Sequence, residues 1–535
     1  MAILRNLWSI STATVAALWI ASAADAGSCS PSSIANPSIP HGQILDLSAF
    51  PVNDYKFQNS ILNFCNVTVT YTHPGWDDEI HVSIWLPLSG WNKRLQSQGG
   101  GGWSALENEG KMANPVIASY AAVGTDAGHE TDKVQSSISW SLNETGQVNM
   151  PLLKDFAYVS LNDAAIIGKD VIRSYYGSGP QYSYWIGTST GGRQGHMLAQ
   201  RYPTAYDGIV AGAPAINWAK FIVAEYWPSF VMNQLQTFPP PCVMDAITAA
   251  AVQACDGIDG VEDGVISDPS RCEFDPLTMV HQKAYCNGQS VTITQNDALV
   301  VQKTWEGMRS TDGSFLWYGL EKGTPLTTGL AVTNCSTPSN CTSIPFSIAS
   351  DWISQFILED PSADLSRLSH EELQQIFHDS VDRYNSIIGT DNPDLSAFKK
   401  AGGKMLTWHG LADQLIFPKG SEHYYKAVEA IDPSVRDFYR FFPAPGVQHC
   451  FCGDGPAPVD PLEAVVTWVE KGIAPDTIFA KTVDGTRSRN LCPYPLVSVY
   501  KGGDSRDASS YTCEEVRSPS SDVGLYSLSL LQSSI

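Results

Sequence analysis

Tyr182-Ser-Tyr-Trp-Ile-Gly-Thr-Ser-Thr-Gly-Gly-Arg-Gln-Gly195 is the stretch whose reading decides the fold. A short aromatic and β-branched run leads into Gly187-Thr-Ser-Thr-Gly191. A helical segment carrying Met197, Leu198 and Ala199 leads out and stops at Pro203. A serine on such a tight strand-to-helix turn projects its Oγ above the end of a sheet, and the flanking glycines permit the strained backbone. The pentapeptide G-x-S-x-G alone recurs by chance in about one chain in three of this length. Its weight comes from the strand before it, the helix after it and the acid and base that follow downstream.

Working outward, short apolar strands alternate with helices. Ile80, Val82, Ile84 and Leu86 alternate with less apolar positions, and Arg94-Leu-Gln-Ser-Gln98 runs into Gly99-Gly-Gly-Gly-Trp103. Tyr120-Ala-Ala-Val-Gly124 leads to Thr125-Asp-Ala-Gly-His129. A helix is expected over about 151–176, with Pro151 at its start and Gly177 past its end. Gly208-Ile-Val-Ala-Gly-Ala-Pro214 reads as a further strand. This rhythm means a parallel α/β sheet. It stops near Trp218 and resumes with the strands Lys404-Met-Leu-Thr-Trp-His409 and Phe438-Tyr-Arg-Phe-Phe442 and a closing helix over about 461–470. The expected organisation is an α/β core of 27–217 and 398–513, interrupted by residues 218–397 as a subdomain that lids the strand C-termini. Residues 514–535 read as a loosely attached tail.

Composition narrows the class. At 535 residues the chain can bury a large core, and its net charge of −22 repels nucleic acid and anionic membranes. Residues 1–26 read as a secretory leader: Arg5 is the only charge before Asp25, and Ala24-Asp25-Ala26 gives a small-x-small cleavage site. Twelve cysteines and four N-x-S/T sequons, at Asn66, Asn143, Asn334 and Asn340, agree with an extracellular destination.

Acyl transfer by serine needs a base, a carboxylate that orients the base, and N–H donors for the oxyanion. In α/β-hydrolases the order along the chain is Ser, Asp/Glu, His. Ser189, Asp413 and His449 satisfy it, the last two on loops after core strands. His409 precedes Asp413 and is the weaker candidate; His423 lies within the expected following helix. Oxyanion donors are expected from Thr190 and from the glycine run, with Gly101 favoured and Gly100 next. Between Cys255 and Cys272, Asp256-Gly-Ile-Asp259-Gly-Val261-Glu-Asp263-Gly-Val265 can offer Ca²⁺ three carboxylates and the carbonyls of Val261 and Val265. Its distance in sequence from the triad points to a structural ion. Trp305, Trp317 and Tyr318 are candidates by residue type for holding an aromatic acyl group.

These residues together resemble the tannase and feruloyl esterase family of secreted esterases. The resemblance rests on Gly99-Gly-Gly-Gly-Trp103, Thr125-Asp-Ala-Gly-His129, the Ser189 box, Arg201-Tyr-Pro-Thr-Ala-Tyr-Asp-Gly-Ile209, the acidic loop, His409-Gly-Leu-Ala-Asp413 and His449-Cys450. It implies an α/β-hydrolase core with a lid, a structural Ca²⁺ in that lid, no organic cofactor, and hydrolysis of feruloyl or galloyl esters. It also implies the pairs Cys29–Cys65, Cys255–Cys272 and Cys492–Cys513, while proximity suggests Cys335–Cys341. Cys242, Cys286, Cys450 and Cys452 stay unassigned. Many members bridge a cysteine before the nucleophile to the one after the catalytic histidine; here Thr188 stands at the first position. Two other readings remain open at this point: an esterase or lactonase for a secondary-metabolite ester, and a non-catalytic calcium-binding glycoprotein.

Overall fold

The computed structural model describes residues 27–106 and 108–515. The expected leader lies outside the described residues, as does the tail beyond residue 515. Nine strands build the central sheet: β1 (Gln43–Phe57), β2 (Ser60–Thr72), β3 (Ile80–Pro87), β4 (Arg94–Gln98), β5 (Ala121–Thr125), β6 (Tyr182–Thr188), β7 (Gly208–Gly212), β8 (Lys404–Gly410) and β9 (Tyr439–Ala444). Their order is β1-β2-β3-β5-β4-β6-β7-β8-β9. The β1, β2, β3 side is antiparallel through the β3–β5 pair, and the remainder is parallel.

Burial follows position in the sheet. In β2, Val67, Val69 and Tyr71 are buried and alternate with partly exposed Asn66, Thr68 and Thr70, as one covered face requires. Every residue of β5 and β7 is buried, because helices cover both faces of the parallel part. Helix α1 (Met150–Ala157) and helix α2 (Val159–Tyr176) replace the single helix expected over 151–176. They part at Tyr158, whose φ of −161° and ψ of −30° leave the helical region. Helix α3 (Thr190–Arg201) follows the nucleophile turn. Ile167, Val171 and Ile172 of α2 pack on Val67, Val69 and Val123. Each such burial is worth about 1.5–3 kcal/mol relative to exposure.

Between β7 and β8 the chain leaves the sheet. It forms helices α4 (Trp218–Ala224), α5 (Trp227–Leu235), α6 (Pro241–Cys255), α7 (Gln295–Glu306) and α8 (His370–Ile388), with two short ribbons. Phe230, Ile247, Val300, Ile353 and Leu373 form their shared core, which continues onto Trp103 of the glycine loop. Helix α9 (Pro418–Ile431) and helix α10 (Pro461–Lys471) return the chain to the sheet. No described helix is long and apolar enough to cross a membrane.

Five disulfides are present: Cys29–Cys65, Cys255–Cys272, Cys335–Cys341, Cys492–Cys513 and the previously unassigned Cys242–Cys286. Cys450 and Cys452 are free and exposed. Asn143, Asn334 and Asn340 are exposed, whereas Asn66 lies mid-strand in β2 between Phe50 and Trp85 and is partly buried. That setting suits a sequon less well than a surface loop.

Candidate active site

Ser189 stands between β6 and α3 with φ 62° and ψ −124°, a conformation side chains rarely adopt. The turn is held by its N–H donating to Gly212 O (3.0 Å) and its carbonyl accepting from Arg193 (3.0 Å) and Ala215 (3.1 Å). Strain at one residue persists because these bonds over-determine it. Arg193 is fully buried and donates to the Ala157 and Phe156 carbonyls, which fixes α3 against the end of α1.

Asp413 and His449 meet on the loops after β8 and β9. His449 Nδ1 donates to Asp413 Oδ2 at 2.8 Å. Asp413 is fully buried, and its other oxygen accepts the N–H groups of Leu415 and Ile416, both at 2.9 Å. His409 Nε2 donates to Asp413 Oδ2 at 3.1 Å, so this fully buried histidine supports Asp413. Burial by itself would raise the Asp413 carboxyl; the charge of His449 and the two imidazole bonds instead hold it below the ordinary carboxylate range. Burial conversely disfavours the His449 imidazolium, but Asp413, with a smaller contribution from Cys450, lifts it well above an ordinary imidazole. Ser189 Oγ makes no hydrogen bond to His449 here; such contacts are commonly long without substrate and tighten around it.

Ser189, Thr190, Gly101, Gly102 and His449 line one cavity of about 150 Å³. The expected oxyanion donors need correction. Gly101 N–H is spent on Ser104 O (3.1 Å) and Gly100 N–H on Gln194 Oε1 (3.0 Å). The N–H groups of Thr190 and Gly102 make no hydrogen bond, and Thr190 Oγ1 donates to Gly102 O at 2.6 Å, drawing the two together. Gly102 has φ 53°, and a Cβ there would lie 2.2 Å from Val134 O, so the loop admits only glycine. His129 explains its own motif: Nε2 lies 2.8 Å from Trp103 O and steadies the loop, and burial keeps the ring neutral.

Trp218, Phe221, Ile222, Phe346 and Ile348 form the cavity's apolar wall. Trp305, Trp317 and Tyr318, proposed by type, do not line it; Trp317 packs against Tyr318 and His423, and Trp305 against Phe274. Sequence reasoning missed Glu225, in the turn between α4 and α5, because it is one acid in an apolar helical run. It lines the cavity, is 2% exposed, and its Oε2 has no partner. Burial pushes its carboxyl well above the ordinary value, which favours the neutral form that can donate a hydrogen bond.

With Cys450 and Cys452 free, hydrogen bonds and a ring contact hold the His449 loop. His449 N–H donates to Gln414 Oε1 (3.0 Å), Gln448 N–H to Cys452 O (2.8 Å), and Phe451 packs on Trp408 at 4.5 Å.

The acidic loop between Cys255 and Cys272 ties its carboxylates to its own backbone and to two arginines. Asp256 accepts from the N–H groups of Asp263 (3.1 Å), Gly264 (2.8 Å) and Val265 (3.3 Å). Arg489 pairs with Asp263 at 3.0 Å and with Asp259 at 3.6 Å, and Arg487 with Asp263 at 3.4 Å. Burial raises the Asp263 carboxyl against the pull of those arginines, and the Asp256 and Asp259 charges add to the rise. Hard oxygen donors in excess of their counter-charge fit Ca²⁺. The loop is remote in sequence but not in space: Leu411, Ala412 and Gln448 share a small pocket with Gly264 and Val265, so it abuts the segments carrying Asp413 and His449.

The family model described as "Tannase and feruloyl esterase" matches residues 65–514. A probable feruloyl esterase of Arthroderma benhamiae is 44% identical over 502 residues, covering 90% of this chain and 93% of its own. Among solved structures, tannin acyl hydrolase from Aspergillus niger aligns with a TM-score of 0.82 at 25% identity, over 91% of this chain and 95% of its own. Feruloyl esterase B from Aspergillus oryzae aligns with a TM-score of 0.73 at 27% identity, over 89% and 97%. The mixed sheet with its strand–serine–helix turn is that of the α/β-hydrolase fold.

Proposed function

The chain belongs to the tannase and feruloyl esterase family, and from that premise and the cavity geometry we propose that it hydrolyses esters of feruloyl or galloyl type through an acyl-enzyme on Ser189. The observation that carries the reading is the buried Asp413–His449 pair at 2.8 Å, opening into the same cavity as Ser189. His449 Nε2 takes the Ser189 proton as Oγ attacks the ester carbonyl, and Asp413 stabilises the imidazolium that forms. The Thr190 and Gly102 N–H groups receive the oxyanion; each such donor is worth about 10²–10³ in rate. His449 then protonates the leaving alcohol, and water, deprotonated by the same imidazole, releases the acid.

Residues 218–397 act as the lid, since α4 supplies Trp218 and Phe221, and its junction with α5 supplies Glu225, to the acyl side of the cavity. The aromatic ring lies among the apolar residues, with Glu225 meeting a ring hydroxyl. Ca²⁺ is held by Asp256, Asp259, Asp263 and the carbonyls of Val261 and Val265, where it neutralises the loop. The five disulfides support an extracellular destination, and Asn143, Asn334 and Asn340 carry glycans.

The test compares wild type with Ser189→Ala on methyl ferulate, methyl gallate and p-nitrophenyl acetate. Turnover of the aromatic esters falls by about 10⁵ or more. Equal activity of the two proteins would remove Ser189 from the mechanism, and Ser189-dependent turnover confined to the small activated ester would remove the aromatic substrate class.

A further inference from the structure

A second polar cluster, which ester hydrolysis does not use, lies where the β2–β3 loop meets α1 and α2. His73 follows β2, Asp78 precedes β3, Asp155 is on α1 and Asp163 on α2, and all four are buried. His73 Nδ1 is 2.6 Å from Asp78 Oδ2 and 3.8 Å from Asp155 Oδ1. One ligand atom each from His73, Asp78 and Asp155 can be chosen so that all lie within 4.8 Å of one another. The second oxygen of Asp78 is occupied, accepting from Thr72 Oγ1 (2.7 Å) and the His73 N–H (2.8 Å).

Asp155 makes this more than an acidic cluster. It is 0% exposed, and neither of its carboxylate oxygens has a hydrogen-bond partner. Burying a carboxylate without a donor is costly, and in native structures such a group signals a missing ligand or proton. Among the described residues no lysine or arginine pairs with Asp78, Asp155 or Asp163, so three carboxylates face a single imidazole.

The far side of the imidazole is arranged as a metal ligand requires. His73 Nε2 is 3.0 Å from Asp163 Oδ2, and that oxygen also accepts the Tyr71 hydroxyl at 3.3 Å. A carboxylate on the outer nitrogen of a ligating histidine fixes its tautomer and raises its basicity.

We propose that His73 Nδ1, Asp78 Oδ2 and the Asp155 carboxylate bind a divalent transition-metal ion, with Zn²⁺ as the best match to one imidazole and two carboxylates. His73 keeps its hydrogen on Nε2 toward Asp163 and yields its Nδ1 proton to solvent on binding. The ion is structural. It ties the β2–β3 loop to α1 just before Phe156 and Ala157, whose carbonyls hold Arg193 of the nucleophile helix. It is separate from the acidic loop, which offers no nitrogen donor.

The full-length protein is stripped with chelator, returned to buffer containing excess Ca²⁺ to saturate the acidic loop, titrated with ZnCl₂, desalted and assayed for metal. About one zinc per chain is expected, with a higher melting temperature than with Ca²⁺ alone. Asp155→Asn loses the zinc, while Cys450→Ser/Cys452→Ser keeps it. Wild type retaining less than about a tenth of a zinc per chain, with no change in melting temperature, overturns the proposal. So does equal zinc in Asp155→Asn, the result expected if a proton shared by Asp155 and Asp78 balances the charge, or loss of zinc in the double serine variant. Should Asp155→Asn fail to fold, the wild-type stoichiometry and the absorption of the Co²⁺-loaded protein decide; bands of thiolate charge transfer there contradict the assignment.

Discussion

At the scale of single residues, the chemistry turns on how Asp413 and Glu225 are surrounded. In the proposed mechanism the neutral imidazole of His449 is the working base, and Asp413 lifts its pKa. Activity therefore rises with pH as the imidazolium loses its proton, at a higher pH than for an unperturbed histidine. In Asp413→Asn that acidic limb moves to lower pH, and the plateau kcat falls by about 10⁴; a limb that stays in place would show that another group sets it. On the proposed reading, Glu225 acts on specificity. Glu225→Leu is expected to lower kcat/KM for hydroxylated rings by about tenfold or more while sparing methyl cinnamate. An equal loss on both esters would make Glu225 a packing residue. Ser189 was legible from its glycines, because the turn is locally encoded. Gly102 was not separable from Gly101, since the choice depends on Ser104 and Gln194 consuming the neighbouring N–H groups. Glu225 carries no local signal; only the folded cavity gives it meaning.

At the scale of elements, most of the parallel strands were readable because they are short apolar runs ending in glycine or a turn, and the polar β4 was placed by the glycine run that follows it. The β1–β2 hairpin was missed: its alternation is broken by irregular register near Ile44 and Val52, and Pro51, Asn53 and Asp54 look like a loop. The break at Tyr158 between α1 and α2 has neither proline nor glycine to announce it. The acidic loop stood out in the sequence as a run of carboxylates and glycines, but its neighbours did not. Val265 lies against Gly446, where a Cβ would be 2.7 Å from its methyl carbons, on the segment leading to His449. Removing Ca²⁺ is therefore expected to lower the melting temperature and kcat together, with Ca²⁺ restoring both. A melting temperature unmoved by chelator would count against the ion; a fall in melting temperature with kcat preserved under assay conditions would uncouple the loop from the base.

At the scale of the whole molecule, a mixed sheet presents Ser189, Asp413 and His449 from the ends of β6, β8 and β9. The segment between β7 and β8 packs around an apolar core that continues onto Trp103, and it supplies Trp218, Phe221 and Glu225 to the cavity that Ser189 and His449 line. Cys242–Cys286 joins two distant parts of that segment, a pairing no local pattern could assign. The division of labour makes one claim central: a single serine receives the acyl group while His449 activates it. Labelling with a fluorophosphonate followed by peptide mapping tests this directly. The account predicts one adduct per chain on Ser189, formed much more slowly in His449→Ala and absent from Ser189→Ala. An adduct on any other residue, or unchanged labelling in Ser189→Ala, would contradict it.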